Sequence, residues 1–372
     1  MHNLGSSAVK VLVVNAGSSS LKLRVLDGDD AVLADQRLPA EGPSGMRAVL
    51  AGFLSGAPEV RAAGHRVVHG GSEFREAVRL GREVEARLDQ LSDLAPLHNR
   101  PAVAAIRALQ GLRPDLEQVA CFDTAFHSHL PLEASTYALP RELSARYGLR
   151  RFGFHGLSHA WASARMAWLM ERPLAELRVV TAHLGAGASL AAVAAGQSVD
   201  TTMGFTPLEG LVMATRSGSV DPGLIVWLQR HAGLGVDALE HMLENESGLL
   251  GVSGVSGDLR AVIEAADGGR QAAALAYDVY LHRLRAGIAA MVAAMAGVDA
   301  LVFTGGAGEG SARLRRDTCQ SLAFLDISVD DSRNAGAGDR LISPRHSRVG
   351  VGVVEAREDV EIARQVRAVL AV

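Results

Sequence analysis

Arg66 in Gly64-His65-Arg66-Val67-Val68-His69-Gly70-Gly71, Asp123 in Phe122-Asp123-Thr124-Ala125-Phe126-His127, His155 in Phe152-Gly153-Phe154-His155-Gly156 and Arg216 in Met213-Ala214-Thr215-Arg216-Ser217-Gly218 are polar side chains set among apolar and glycine neighbours. Singly, each has a structural explanation: a surface arginine, a core histidine, an acid at the end of a strand. Leu97-His98-Asn99 before Pro101 likewise reads as a helix start capped by Asn99. Jointly they have a chemistry. Transfer of a phosphoryl group needs an in-line approach, donors around three equatorial oxygens and a metal to neutralise the donor phosphates. Two arginines, a histidine and a carboxylate supply such a set. Asp123 falls at the carboxyl end of a strand, where α/β clefts collect ligands and metal-binding carboxylates.

A phosphate also needs a cradle. In Val13-Val14-Asn15-Ala16-Gly17-Ser18-Ser19-Ser20-Leu21-Lys22 an apolar strand runs into a small, hydroxyl-rich turn that ends in a lysine. Gly17 allows a turn tight enough for successive N–H groups to face one anion. The serines add short donors, and Lys22 adds charge; it is one of two lysines in a chain with thirty-five arginines. The pattern recurs in Arg178-Val179-Val180-Thr181-Ala182-His183-Leu184-Gly185-Ala186-Gly187-Ala188-Ser189-Leu190. Both return strands lead through a second turn into a third strand, Leu21–Leu26 then Ala31–Gln36, and Ser189–Val193 then Ser198–Thr202. A duplication at about 168 residues' spacing implies two homologous domains. A third glycine run, Gly305-Gly306-Ala307-Gly308-Glu309-Gly310, follows the strand Ala300–Thr304 and reads as a turn able to accept a base or ribose.

The elements that must position these residues alternate between periods. Strands Val60–Val68 and Gln118–Phe122, with helical stretches Val84–Leu91 and Pro101–Leu109, complete a first α/β unit. A helix after Gly156, a helical middle Pro222–Val298, a strand Arg348–Val354 and a helix Glu358–Leu370 belong to the second. The expected architecture is two α/β domains, mixed sheets flanked by helices, with ligand in the cleft between them. At 372 residues the chain is long enough for two sizeable cores. A net charge of -4 with no basic run interleaved with aromatics gives no footprint for nucleic acid, so a small-molecule partner is expected. Cys121 and Cys319 are too few for a disulfide framework, Met1–Val9 has no signal-peptide pattern, and the apolar run Ala286–Val298 is short of the ~20 residues of a membrane span. A cytoplasmic protein with no membrane partner is expected.

In sequence the chain resembles the acetokinase family of short-chain carboxylate kinases, within the actin and sugar-kinase superfamily. The resemblance is carried by Val13–Lys22, Gly64–Gly71, Leu94–Asn99, Phe122–His127, Tyr137–Pro140, Phe152–His159, His183–Gly187, Met203–Asp221, Ser247–Gly254 and Phe303–Glu309, which run almost end to end. Met203-Gly204-Phe205-Thr206-Pro207-Leu208-Glu209-Gly210-Leu211 and the run from Gly64 to Gly71 are long and have no generic structural cause. What the resemblance implies is a duplicated actin-like (ribonuclease H-like) fold, with domains 1–147 and 148–358 and the C-terminal helix 359–372 packed on the first. It implies reversible in-line transfer of the ATP γ-phosphoryl group to acetate, giving acetyl phosphate and ADP, with Mg²⁺ or Mn²⁺, in a homodimer. Domain closure would exclude water.

By the same resemblance, Asn15 lies near the transferring group and its metal, Ser18, Ser20 and Lys22 hold phosphate, and Glu358 binds magnesium. Arg66 and Arg216 flank the acyl carboxylate, where guanidinium forks bind oxygens bidentately. His155 donates to the transition state, His183 contacts the terminal phosphate, and Asp123 acts on the metal or orients the carboxylate. Val68, Leu97, Phe154 and Pro207 form the methyl pocket; Gly185 and Gly187, Asp258 and Arg260, and Gly306 and Gly308 serve the nucleotide. Three positions depart from the family: Ala186, Gly310 and Arg357 each stand where asparagine is usual, and the first domain is short between Asp35 and Glu59. A polyphosphate or pyrophosphate donor therefore stays open beside ATP. The alternatives are a propionate- or butyrate-type kinase, a sugar kinase and a non-catalytic actin-like ATP-binding protein.

Overall fold

The computed structural model describes residues 9–17, 20–39, 43–91 and 96–371. Two compact units are present. One takes the chain up to Ser128, then His155–Leu157 and everything from Arg357 on; the other takes His129–Phe154 and Ser158–Ala356.

In the first unit the apolar runs become strands β1 (Val11–Ala16), β2 (Ser20–Leu26), β3 (Val32–Pro39), β4 (Ala62–Val67), β5 (Val78–Arg79) and β6 (Glu117–Phe122). Their spatial order is β3-β2-β1-β4-β6-β5. β1, β4 and β6 are parallel to one another, and the other pairings are antiparallel. In the second unit β7 (Arg178–Leu184), β8 (Ala188–Ala194), β9 (Gln197–Thr201), β10 (Ala300–Thr304), β11 (Arg340–Leu341) and β12 (Gly350–Val353) are ordered β11-β12-β10-β7-β8-β9. Read from the other edge, this is the order of the first sheet. β7, β10 and β12 are again the parallel strands. The two six-stranded mixed sheets therefore repeat in order and in sense, as the duplicated hairpins predict.

On one face of the first sheet the helices Pro43–Gly56 and Pro96–Leu112 cover a core of Leu12, Val14, Leu23, Leu50 and Leu109. Met46, Leu50 and Phe53 give the first of these helices its buried stripe at helical spacing. The helix Glu358–Leu370 packs elsewhere on β4, and Gly64 is the reason it can come so close. A Cβ on Gly64 would stand 2.4 Å from Ile362 Cγ2 and 2.7 Å from Val366 Cγ2. This packing brings the helix N-terminus, with Glu358, beside the carboxyl end of β4.

Two local expectations change. The run Gly305–Gly310 is a short helix rather than a turn, entered through Gly305 at φ 78°, where a Cβ would meet the Leu184 backbone at 2.9 Å. Glu309 Oε1 accepts from the Gly305 N–H at 2.8 Å and secures its start. The helix Pro96–Leu112 begins five residues before Pro101, so Pro101 is inside it and Asn99 is no cap. The helical middle resolves into five helices, the last being Gln271–Ala294. Among the described residues no helix is long and apolar enough to cross a membrane.

Candidate active site

Parallel strands present their carboxyl ends on one edge, and in the first unit that edge gathers four of the expected residues. Arg66, near the end of β4, reaches Asp123, one residue past β6: Nε lies 3.0 and 3.1 Å from the two carboxylate oxygens and Nη2 lies 2.5 Å from Oδ2. Arg66 Nη1 also donates to Asn15 Oδ1 at 3.3 Å. Asn15 Nδ2 donates to Glu358 Oε2 at 3.4 Å, and the same oxygen lies 3.8 Å from Arg66 Nε. Burial opposes charge on Arg66, yet Asp123 and Glu358 hold its pKa above the ordinary value. Burial pushes the Asp123 carboxyl up, against the pull of Arg66. Lys22 is exposed, opposite Asn15 in the β1–β2 register. Ser20 opens β2 and its carbonyl accepts from Gly17 N–H at 2.9 Å. Ser18 lies outside the described residues, as does the side chain of Leu97.

His155 adjoins this edge in a left-handed conformation, φ 56°, which costs a non-glycine residue about 1–3 kcal/mol and tends to persist where a site requires it. The following Gly156 donates its N–H to the Asp123 carbonyl at 2.8 Å, and a Cβ there would stand 2.2 Å from that oxygen. The backbone of His155 is thus tied to the residue that fixes Arg66.

The second unit gathers others of the expected residues at the corresponding edge of its sheet. His183 ends near the β7–β8 turn of Gly185, Ala186 and Gly187, closed by the Gly185 N–H on the Gly187 carbonyl at 3.0 Å. Ser158 Oγ is 2.7 Å from His183 Nδ1 and orients the ring, a role the sequence does not announce. β10 pairs with β7, with Thr304 opposite His183, so the glycine helix starts beside that turn. Gly306 is exposed with open space where a Cβ would go, whereas Gly308 meets Leu184 and Phe303 at ordinary distance. The Ala186 carbonyl accepts from Ala214 N–H at 3.1 Å, which links the turn to the Arg216 loop. Arg216 Nη1 donates to the Pro207 carbonyl at 3.3 Å, and among the described residues no carboxylate pairs with it. Its burial lowers its pKa. The Pro207 loop is held in turn by Glu209, which accepts from Tyr137 Oη and Arg151 Nη2, both at 2.6 Å. Phe154 is fully buried in this unit, and Val68 is nearly buried in the first. Asp258 is the N-cap of the helix Leu259–Asp267, accepting from Arg260 N–H at 2.8 Å, and both side chains are exposed.

Glu358 and the Asn15 amide offer hard oxygen donors, the type Mg²⁺ takes, usually as one or two carboxylates with substrate phosphates and water. Arg357, one of the three departures from the family, binds Asp359 through Nε at 3.0 and 3.1 Å. Asp359 also accepts from Arg24 at 3.3 Å, so the start of the Glu358 helix is anchored to β2.

A sequence profile of the Acetokinase family matches residues 49–364. The chain is 46% identical over 387 aligned positions to the acetate kinase of Clavibacter michiganensis, covering 95% of this chain and 98% of that one. It is 51% identical to the acetate kinase of Gloeobacter violaceus over 82% of this chain and 76% of the other. Among solved structures it matches Porphyromonas gingivalis acetate kinase with a TM-score of 0.91 at 37% identity, over 98% of this chain and 100% of that one. A propionate kinase from Francisella tularensis matches at 0.88 and 33%, over 97% and 99%.

Proposed function

The chain belongs to the acetokinase family, and on that premise we propose that it is an ATP:acetate phosphotransferase, forming acetyl phosphate and ADP reversibly. The observation that carries the reading is the joined set Asn15, Arg66, Asp123 and Glu358 at one strand edge. An oxygen of the ionised acetate attacks the γ-phosphorus in line; the new O–P bond forms as the bond to the β,γ-bridging oxygen breaks, and ADP leaves. Acetate is already anionic at neutral pH, so no general base is needed. Positioning and charge neutralisation are the whole task.

Arg66, its fork held by Asp123, and Arg216, with no ion-paired carboxylate among the described residues, take the charge on the transferred group, and His155 donates to it. Mg²⁺, held by Glu358 and Asn15, would neutralise the donor phosphates. His183, Gly185 and Gly187 contact those phosphates, and Gly306 leaves room for the nucleoside. By the family resemblance Val68, Phe154 and Pro207 are the residues assigned to the methyl group. Formation of acyl hydroxamate from acetate, propionate and butyrate, with ADP release measured beside glucose and with ATP or pyrophosphate as donor, tests the reading. Activity confined to glucose, or nucleotide binding without turnover, would reject it.

Ala186→Asn supplies a side-chain donor at an exposed turn position, and the KM for ATP is expected to fall; an unchanged or higher value counts against a phosphate role for the turn. The dimer is part of the same proposal. The helix Pro222–His231 buries none of its residues and exposes Leu224, Val226 and Trp227. Trp227→Asp should convert a dimeric mass in light scattering to a monomeric one, and an unchanged mass would exclude this helix as the interface. A cytoplasmic location is supported by two buried, unbridged cysteines, Cys121 and Cys319.

A further inference from the structure

Side-chain hydrogen bonds outside the sheet hold the loop after β4. Asn99 Oδ1 accepts from the His69 N–H at 3.0 Å, while Asn99 Nδ2 donates to the His69 carbonyl at 2.9 Å. The Gly71 N–H donates to His69 Nδ1 at 2.9 Å, and the Gly70 N–H to Thr124 Oγ1 at 3.0 Å. Asn99 and His69 are fully buried, and Thr124 nearly so. A single side-chain amide therefore takes both backbone groups of one residue, as a neighbouring strand would. Just before the loop, the Asp123 N–H donates to the Val67 carbonyl at 3.0 Å. Val68, 8% exposed, is the one residue between these two fixed points.

Nothing in the phosphoryl-transfer chemistry uses Asn99, and its burial excludes a surface role. We propose that Asn99 is a positioning residue for acyl-chain selection: by pinning both backbone groups of His69 it fixes how far Val68 projects toward the alkyl group of the acid. The inference rests on the carboxylate-kinase reading and extends it. A buried amide left without a partner is costly, so without the Asn99 side chain the His69 peptide must shift toward water or another partner, and Val68 moves with it. A pocket wall that yields loses its ability to refuse one more methylene.

The test compares Asn99→Ala and Asn99→Asp with the wild type in the hydroxamate assay. The aspartate keeps the shape and the acceptor for the His69 N–H, and burial favours its protonated form, whose O–H can still reach the His69 carbonyl, so it stays readable if the alanine variant fails to fold. One methylene in an apolar pocket is worth about 10–200-fold, and the propionate-to-acetate ratio of kcat/KM is expected to rise at least about fivefold in Asn99→Ala. The rise should come from a higher KM for acetate, with kcat for propionate kept, and Asn99→Asp should be intermediate. A lower melting temperature with an unchanged ratio in both variants would make Asn99 a purely structural residue and overturn the proposal. Absence of any acyl hydroxamate from the wild type would overturn the carboxylate-kinase reading itself, and the two failures are separable because the wild type is measured first.

Discussion

Arg216→Ala should lower kcat by at least ~10²-fold with little change in stability, whereas Arg66→Ala should lower both. The two arginines differ in what they hold in the resting protein. Among the described residues the Arg216 side chain makes one hydrogen bond, to the Pro207 carbonyl at 3.3 Å, and burial already weighs against its charge. Its removal relieves that burial, and the only acid it leaves is Glu244, which acts on it through charge and not through an ion pair among the described residues. Arg66 is the counter-charge of Asp123, which is 1% exposed. Breaking a buried pair from one side costs about 3–5 kcal/mol, because the remaining charge has no partner. In Arg66→Ala the Asp123 carboxyl loses the group that pulls its pKa down, while burial still pushes it up. A folded pKa above the unfolded one favours the fold below the unfolded value and loses that advantage as pH rises. The stability gap between Arg66→Ala and wild type should therefore narrow on acidification. Arg66→Lys keeps a positive charge beside Asp123 but not the fork, so it should recover stability more than kcat. Steady-state kinetics with denaturant unfolding at two pH values would show the split; near wild-type turnover in both alanine variants would remove the arginines from the mechanism.

What the sequence made legible follows from how local its signals are. The paired hairpins could be read because strand, glycine turn and return strand recur in one short span, and the sheet orders repeat as that recurrence implies. Both two-residue edge strands, Val78–Arg79 and Arg340–Leu341, carry no period at all and appear only through their partners. Gly305–Gly310 looked like a turn because glycine disfavours helix; Glu309, accepting from both Gly305 N–H and Ala356 N–H, outweighs that preference. Asn99 was taken for a cap on the strength of Pro101, since its true partner, His69, is thirty residues away. Asp258 went the other way: a cap is what it is in this fold, and its expected place by the nucleotide has no further support in the geometry. Arg66 and Asp123 stand out in the sequence as polar residues among apolar neighbours, while Asn15 and Glu358 took their metal roles from the resemblance; the cohesion of the candidate set is physical. Gly64 allows the C-terminal helix to approach β4, and without that approach Glu358 would not reach Asn15.

The first unit should also lose stability between pH 7 and pH 5 through a residue next to the site, His65. It is 1% exposed, on the opposite face of β4 from Arg66, with Nε2 2.8 Å from Gln118 Oε1 and, among the described residues, no partner for Nδ1. Burial lowers its pKa to about 4 from 6.5, against the smaller raising effect of Gln118. The folded protein therefore keeps His65 neutral while the unfolded chain takes up a proton below pH 6.5. Stability is complete above that value and is lost as pH falls toward 4. At about 1.4 kcal/mol per pH unit the full loss is about 3 kcal/mol, of which about 2 kcal/mol falls between pH 7 and pH 5. His65→Gln removes the titration and keeps a donor for Gln118 Oε1. Its unfolding free energy should fall less than that of wild type over the same interval, by about 2 kcal/mol, in denaturant titrations at the two pH values. Equal losses in the two proteins would mean that the acid sensitivity lies elsewhere than in His65.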